Sequence, residues 1–147
     1  MTVEAQDVHI VDRSGTSGID TLLAHLEHTS ISERAKGDSF ERLIKGYLVT
    51  EPLYAALVDE VWMWNEWPYQ EGNDAGIDLV AHTRNDEYWA IQCKFYAATH
   101  ILAKADIDSF FTASGQSFVV DDDKRVFSKR LIFTTTNHWP SHIHMPM

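Results

Sequence analysis

The sequence is poor in cysteine, basic charge and long apolar runs. Its one cysteine, Cys93, excludes an internal disulfide. No apolar run is long enough to span a bilayer, and the N-terminus lacks the basic-then-apolar pattern of a signal peptide. The expected location is therefore cytoplasmic, with no membrane partner. Lysine and arginine number 12 against 22 acidic residues, for a net charge of -10, so no strongly basic surface follows from bulk composition. There is no internal repeat and no low-complexity tract. The chain has 147 residues and is 44% hydrophobic, which suits one domain with a single core.

The stretch 76–96 organises the rest. It reads G-I-D-L-V-A-H-T-R-N-D-E-Y-W-A-I-Q-C-K-F-Y, two alternating runs around a polar break at Arg84, Asn85 and Asp86. That pattern predicts a β-hairpin. Gln92 and Lys94 then share one strand face, and Trp89, Ile91, Cys93 and Phe95 the other. A two-residue turn would place Asp78 across from Cys93. An odd-length loop or a bulge would place it opposite Gln92 or Lys94, with Ile77, Leu79 and Ala81 sharing the face of Ile91, Cys93 and Phe95. The apolar pattern favours the odd loop. The expectation is a site of Asp78, Gln92 and Lys94, a polar cluster that a half-buried sheet would not otherwise keep.

Around the hairpin, apolar spacing predicts a helix near 16–28. A second helix is expected from Asp38, with a stripe of Phe40, Leu43, Ile44, Tyr47 and Leu48. Asp38 and Glu41 have the spacing of a capping box, which would account for Glu41 structurally. A short helix follows Pro52. Residues 58–64 read as a strand, and 68–75 as a loop in which Asp74 is either solvated or a further metal contact. Trp62, Trp64 and Trp67 suggest either a base-stacking platform or, preferably for Trp62 or Trp64, aromatic core. A helix is expected from Ala103 to Gly115, with Lys104, Asp106 and Asp108 off its apolar face. Asp121 to Asp123 read as an acidic loop. Lys124, Arg125, Lys129 and Arg130 form a basic run, read as a solvated loop or a backbone contact. Residues 131–136 read as a strand. The tail holds His138, His142 and His144 without an acidic or cysteine partner.

The spacing D…Q-x-K resembles the PD-(D/E)xK nuclease superfamily, in the Mrr-like variant where glutamine replaces the acidic residue. The longer wording is more specific: F-E-R-L-I-K-G-Y-L at 40–48, V-W-M-W at 61–64, G-I-D-L-V-A at 76–81, Y-W-A-I-Q-C-K-F-Y at 88–96 and K-A-D-I-D-S-F at 104–110. These blocks, between about Lys36 and Trp139, resemble the N-terminal nuclease domain of single-polypeptide type ISP restriction-modification enzymes. The resemblance implies an α/β restriction-endonuclease-like core with a mixed central β-sheet flanked by helices. It would occupy 38–139, behind an N-terminal helical extension at 1–37 and before a loose tail at 140–147. It also implies Mg²⁺-dependent cleavage of DNA, with Mn²⁺ able to substitute. Asp78, Gln92 and the Cys93 backbone carbonyl would be metal ligands and Asp74 a possible one. Lys94 would act on the attacking water or the phosphate, and Glu41 would contact a metal-bound water. Helicase-like motor and methyltransferase domains would share the polypeptide and hold the DNA, which answers the acidic charge. The alternative is a non-catalytic nuclease-fold module that binds DNA or a partner. Gln92→Glu is expected to tighten Mg²⁺ binding and to retain part of the activity.

Overall fold

The computed structural model describes residues 8–10, 33–70, 76–94 and 104–134. The helix expected near 16–28, Asp74, Phe95 and the histidines of the tail lie outside them. In chain order the described elements are β1 (Val8–Ile10), α1 (Glu33–Thr50), α2 (Pro52–Ala55), β2 (Val58–Met63) and β3 (Leu79–Thr83). Then come β4 (Tyr88–Lys94), α3 (Lys104–Ser114), β5 (Phe118–Val120), β6 (Asp123–Arg125) and β7 (Lys129–Thr134). Five strands form a mixed sheet in the order β1-β7-β4-β3-β2, and β5 and β6 form a separate small hairpin. β4 is antiparallel to β3 and parallel to β7. A parallel neighbour needs a crossover, and α3 lies in it.

The two sheet faces have separate cores. α1 lays Phe40, Ile44 and Leu48, all at 0% exposure, on Leu79, Ala81, Trp89, Ile91, Cys93, Leu131 and Phe133. α3 lays Ile107, Phe110 and Ala113 on Ile77, Val80, Ala90 and Ile132, together with Trp67, Phe118 and Phe127. β4 is buried on both faces up to Gln92 and Cys93, as a central strand of a covered sheet must be.

Of Trp62, Trp64 and Trp67, Trp67 is the one fully buried in the core. It is 2% exposed and meets Phe118 edge-on at 4.9 Å, with Trp62 and Trp64 half-buried against the same cluster. The expected cap at Asp38 is corrected: α1 starts at Glu33, so Asp38 and Glu41 are helix interior and the helix runs across the boundary expected at residue 37. Gly37 interrupts a run of good helix formers, and packing of the Phe40–Leu48 stripe overrides that local cost. The expected acidic loop is instead the turn of β5–β6. Asp121 and Asp122 both have positive φ, 50° and 71°, as a two-residue primed turn requires.

Candidate active site

The hairpin that carries the expected trio closes through the three residues Arg84, Asn85 and Asp86. Thr83 N–H donates to Glu87 O at 2.8 Å, and Asp86 takes φ 65°. A turn followed by a left-handed residue is a common three-residue hairpin loop. Leu79 faces Ile91 and Val80 faces Ala90, an even register that, continued regularly, would set Asp78 opposite Gln92.

Just before β3 the register breaks. Asp78 N–H donates to Ile91 O at 2.8 Å, although Ile91 is the partner of Leu79. Two residues therefore address one, which kinks the strand as a bulge does. Ile77 enters the α3-side core, contrary to the expectation that it shares the face of Leu79 and Ala81. The Asp78 carboxylate accepts the Cys93 backbone N–H through Oδ2 at 2.7 Å. It lines a cavity of about 490 Å³ with Asp38, Glu41, Arg42, Met63, Trp64, Asn65 and Glu66. Asp78 and Glu41, 37 residues apart, thus share one polar cleft between α1 and the sheet edge. With the capping box gone, Glu41 is a helix-interior residue that lines the cleft.

Gln92 turns the other way. It is 2% exposed, and its Nε2 donates to Gly76 O at 3.1 Å, beside the Phe110 backbone of α3. Its Oε1 is buried without a hydrogen-bond partner among the described residues. A common face for all three side chains is therefore corrected: the kink at Asp78 carries its carboxylate to the cleft while Gln92 stays beneath Gly76. Lys94 ends β4, half-buried. The Cys93 thiol registers the whole group. Burial pushes its pKa well up, the Asp78 and Glu41 carboxylates push it further, and the Lys94 charge pulls it down. Cys93 is a core residue, and a buried thiol held protonated is no nucleophile.

Of the basic run, Lys124 and Lys129 are exposed, and Arg125 and Lys129 contact the fold. Arg125 bonds the Asp86 carbonyl and stacks 5.1 Å over Tyr88, and Lys129 stands 5.1 Å over Trp89. Lys104 pairs with Asp108. Arg42, which sequence reasoning passed over, also lines the cleft; it lies one residue after Glu41 and is exposed.

The donors fit a hard divalent cation in kind. Mg²⁺ takes oxygen ligands and is commonly held by only one or two carboxylates plus waters. Asp78 and Glu41 supply two in one cleft. The buried, unpartnered Gln92 Oε1 is a neutral acceptor close to the segment that carries Asp78. Among the described residues no group of three or more His, Cys, Asp and Glu side chains is poised to hold a metal. Neutral oxygens would have to complete such a site.

A layered α/β core with a kinked hairpin presenting an aspartate and a Q-x-K strand defines a restriction-endonuclease-like domain. Residues 49–146 match a family model of the Mrr catalytic type, described as restriction endonuclease, and the chain belongs to that family. Its structure is similar to the ATP-dependent Type ISP restriction-modification enzyme LlaBIII bound to DNA, with 33% identity and a TM-score of 0.62. The match covers 82% of this chain and 7% of that chain, so this chain spans a small part of the enzyme's length. No curated protein matches the sequence.

Proposed function

We propose that this domain hydrolyses the phosphodiester backbone of DNA with a divalent cation, Mg²⁺ or Mn²⁺, as the cutting domain of a restriction system. The observation that carries this reading is the cleft shared by Asp78 and Glu41, with the Asp78 carboxylate held there by the Cys93 backbone N–H. Asp78 and the Cys93 carbonyl would hold the cation, with Glu41 on the opposite wall and Gln92 behind the sheet. When bound, it would polarise a phosphoryl oxygen and make water a better nucleophile.

The chain's own groups do the rest. The Cys93 N–H fixes the Asp78 carboxylate in one orientation, so little ordering is left for the moment of reaction. Glu41 accepts a proton of the attacking water. Lys94 orients that water or balances charge growing on the phosphate. The cleft's other carboxylates, Asp38 and Glu66, repel DNA, so the domain binds it weakly alone. Motor and methyltransferase domains of the same polypeptide would supply that hold.

The experiment is nicking of supercoiled plasmid in Mg²⁺ and Mn²⁺, by this chain and by a fusion to its flanking domains. The expected result is metal-dependent cutting, at least in the fusion, that falls by roughly a thousandfold in Asp78→Ala. Cutting undiminished in Asp78→Ala overturns the reading. A folded fusion that binds DNA but never cuts leaves the non-catalytic alternative in its place.

A further inference from the structure

Gln92 poses a problem of chemistry. At 2% exposure it carries a donor that is used and an acceptor that is not. The donor's partner is the carbonyl of Gly76, two residues before Asp78. Only an amine or amide N–H, or another donor, can face that carbonyl, and a carboxylate there would be buried oxygen against oxygen. Gly76 has φ 105°, a conformation open to glycine, and it aims this carbonyl inward while Ile77 anchors in the α3-side core. From there the chain kinks, and Asp78 N–H reaches Ile91 O.

We propose that Gln92 is the positioning residue for Asp78: its Nε2 latches the Gly76 carbonyl from behind the sheet and so fixes the segment that delivers the Asp78 carboxylate to the cleft. The proposal rests on the reading of Asp78 as the metal-holding carboxylate. It accounts for an amide at this position by its donor. Whatever Oε1 contacts, a carboxylate at position 92 does not improve the site but unlatches it. That reverses the sequence-based expectation for Gln92→Glu.

The test compares Gln92→Glu and Gln92→Met with the parent, using two readouts that need no cleavage. The first is Mn²⁺ titration by calorimetry. Gln92→Glu is expected to weaken binding by at least about tenfold, the effect of losing one buried hydrogen bond and gaining a repulsion. A simple ligand role predicts tighter binding, and binding equal to or tighter than the parent's overturns the proposal.

The second readout is hydrogen exchange in metal-free protein at the Asp78 and Cys93 amides, which bond Ile91 O and Asp78 Oδ2. Both variants should speed exchange there by about tenfold or more, while the amides of α1 stay protected. A side chain that only donates to a metal would not change exchange when the metal is absent, so unchanged exchange in Gln92→Met overturns the proposal. Met matches Gln in length and brings no charge, so it remains testable if the Glu variant fails to fold. If Asp78→Ala binds Mn²⁺ like the parent, the reading of Asp78 fails by itself, and the exchange result still decides whether Gln92 holds the segment.

Discussion

The two ends of the β3–β4 hairpin are built from the same kinds of residue and differ in how those residues are spent. At the turn end, polar groups satisfy one another. His82 stands between Asp59, at 3.2 Å, and Asp86, at 2.9 Å. Arg125 closes on Asp86, Ser128 donates to Glu87 at 3.0 Å, and Arg84 reaches Ala55 O at 3.2 Å. All of this is at the surface, where such pairs contribute little and are screened by salt. At the open end, Asp78 is half-buried in the cleft and Gln92 fully buried, and Gln92 Oε1 meets no partner among the described residues. Burying polar groups without full satisfaction costs stability. The turn end needs no explanation beyond folding. The open end does, and for Asp78 the cleft it shares with Asp38, Glu41 and Glu66 supplies one.

The largest expected effect breaks or keeps that asymmetry directly. Lys94→Ala should lower plasmid cleavage by roughly a thousandfold or more while leaving Mn²⁺ binding near the parent's, if Lys94 acts on water and phosphate as proposed. Arg84→Ala, at the turn end, should cut like the parent. Metal titration and cleavage of the two variants, side by side in the fused protein, check this. Loss of metal binding in Lys94→Ala would mean that the lysine holds the Asp78 segment in place.

A smaller effect is expected at Gly76. A Cβ there would meet nothing closer than 3.7 Å, so space is not the obstacle. The φ of 105° is, and Gly76→Ala should cost about 1–2 kcal/mol of stability, the usual penalty for forcing an L side chain into positive φ. Urea denaturation measures it. A neutral result would show that the segment before Asp78 relaxes readily, which would also weaken the case for a fixed latch.

What the sequence made legible follows physical lines. The α1 stripe could be read because Phe40, Ile44 and Leu48 repeat at helical spacing and all reach 0% exposure. The odd hairpin loop could be read because a slip of one residue would have exchanged the faces of every apolar residue. The kink at Asp78 could not, because a bulge leaves no mark in a period-two pattern. The start of α1 was misplaced because Asp38 and Glu41 imitate a cap that only the preceding turn, Glu33 to Lys36, contradicts. β1 has three residues and pairs only with β7, so its evidence lies in a strand more than a hundred residues away. The β5–β6 turn was hidden because aspartate tolerates positive φ but does not announce it as Asn-Gly would. In the candidate site, the pattern points to Asp78, Gln92 and Lys94 but not to their directions: the turn of Gln92 toward Gly76 belongs to the tertiary fold.

The smallest expected effect is a pH dependence confined to the turn end. The hydrogen bond from His82, joined by the charges of Arg125 and His82, holds the Asp86 carboxyl below its ordinary pKa. Between the folded and unfolded values of that carboxyl, the unfolded chain binds more protons, so stability rises with pH across the window. The contribution is present in full above the unfolded value, about 3.9, and is lost as pH falls through the lower folded one. His82→Gln removes the largest cause of the depression and leaves Arg125 in place. The variant should be slightly less stable near neutral pH, and its stability should fall less steeply below about pH 4. Plasmid cleavage near neutral pH should match the parent's, because the open end is untouched. Urea midpoints measured from acid to neutral pH, in low salt and again in high salt, test it. Because Asp86 is fully exposed, salt should shrink the difference between parent and variant. Superimposable acid limbs in low salt would show that His82 and Asp86 are neighbours without a thermodynamic bond, and the turn end would then owe its order to backbone geometry alone.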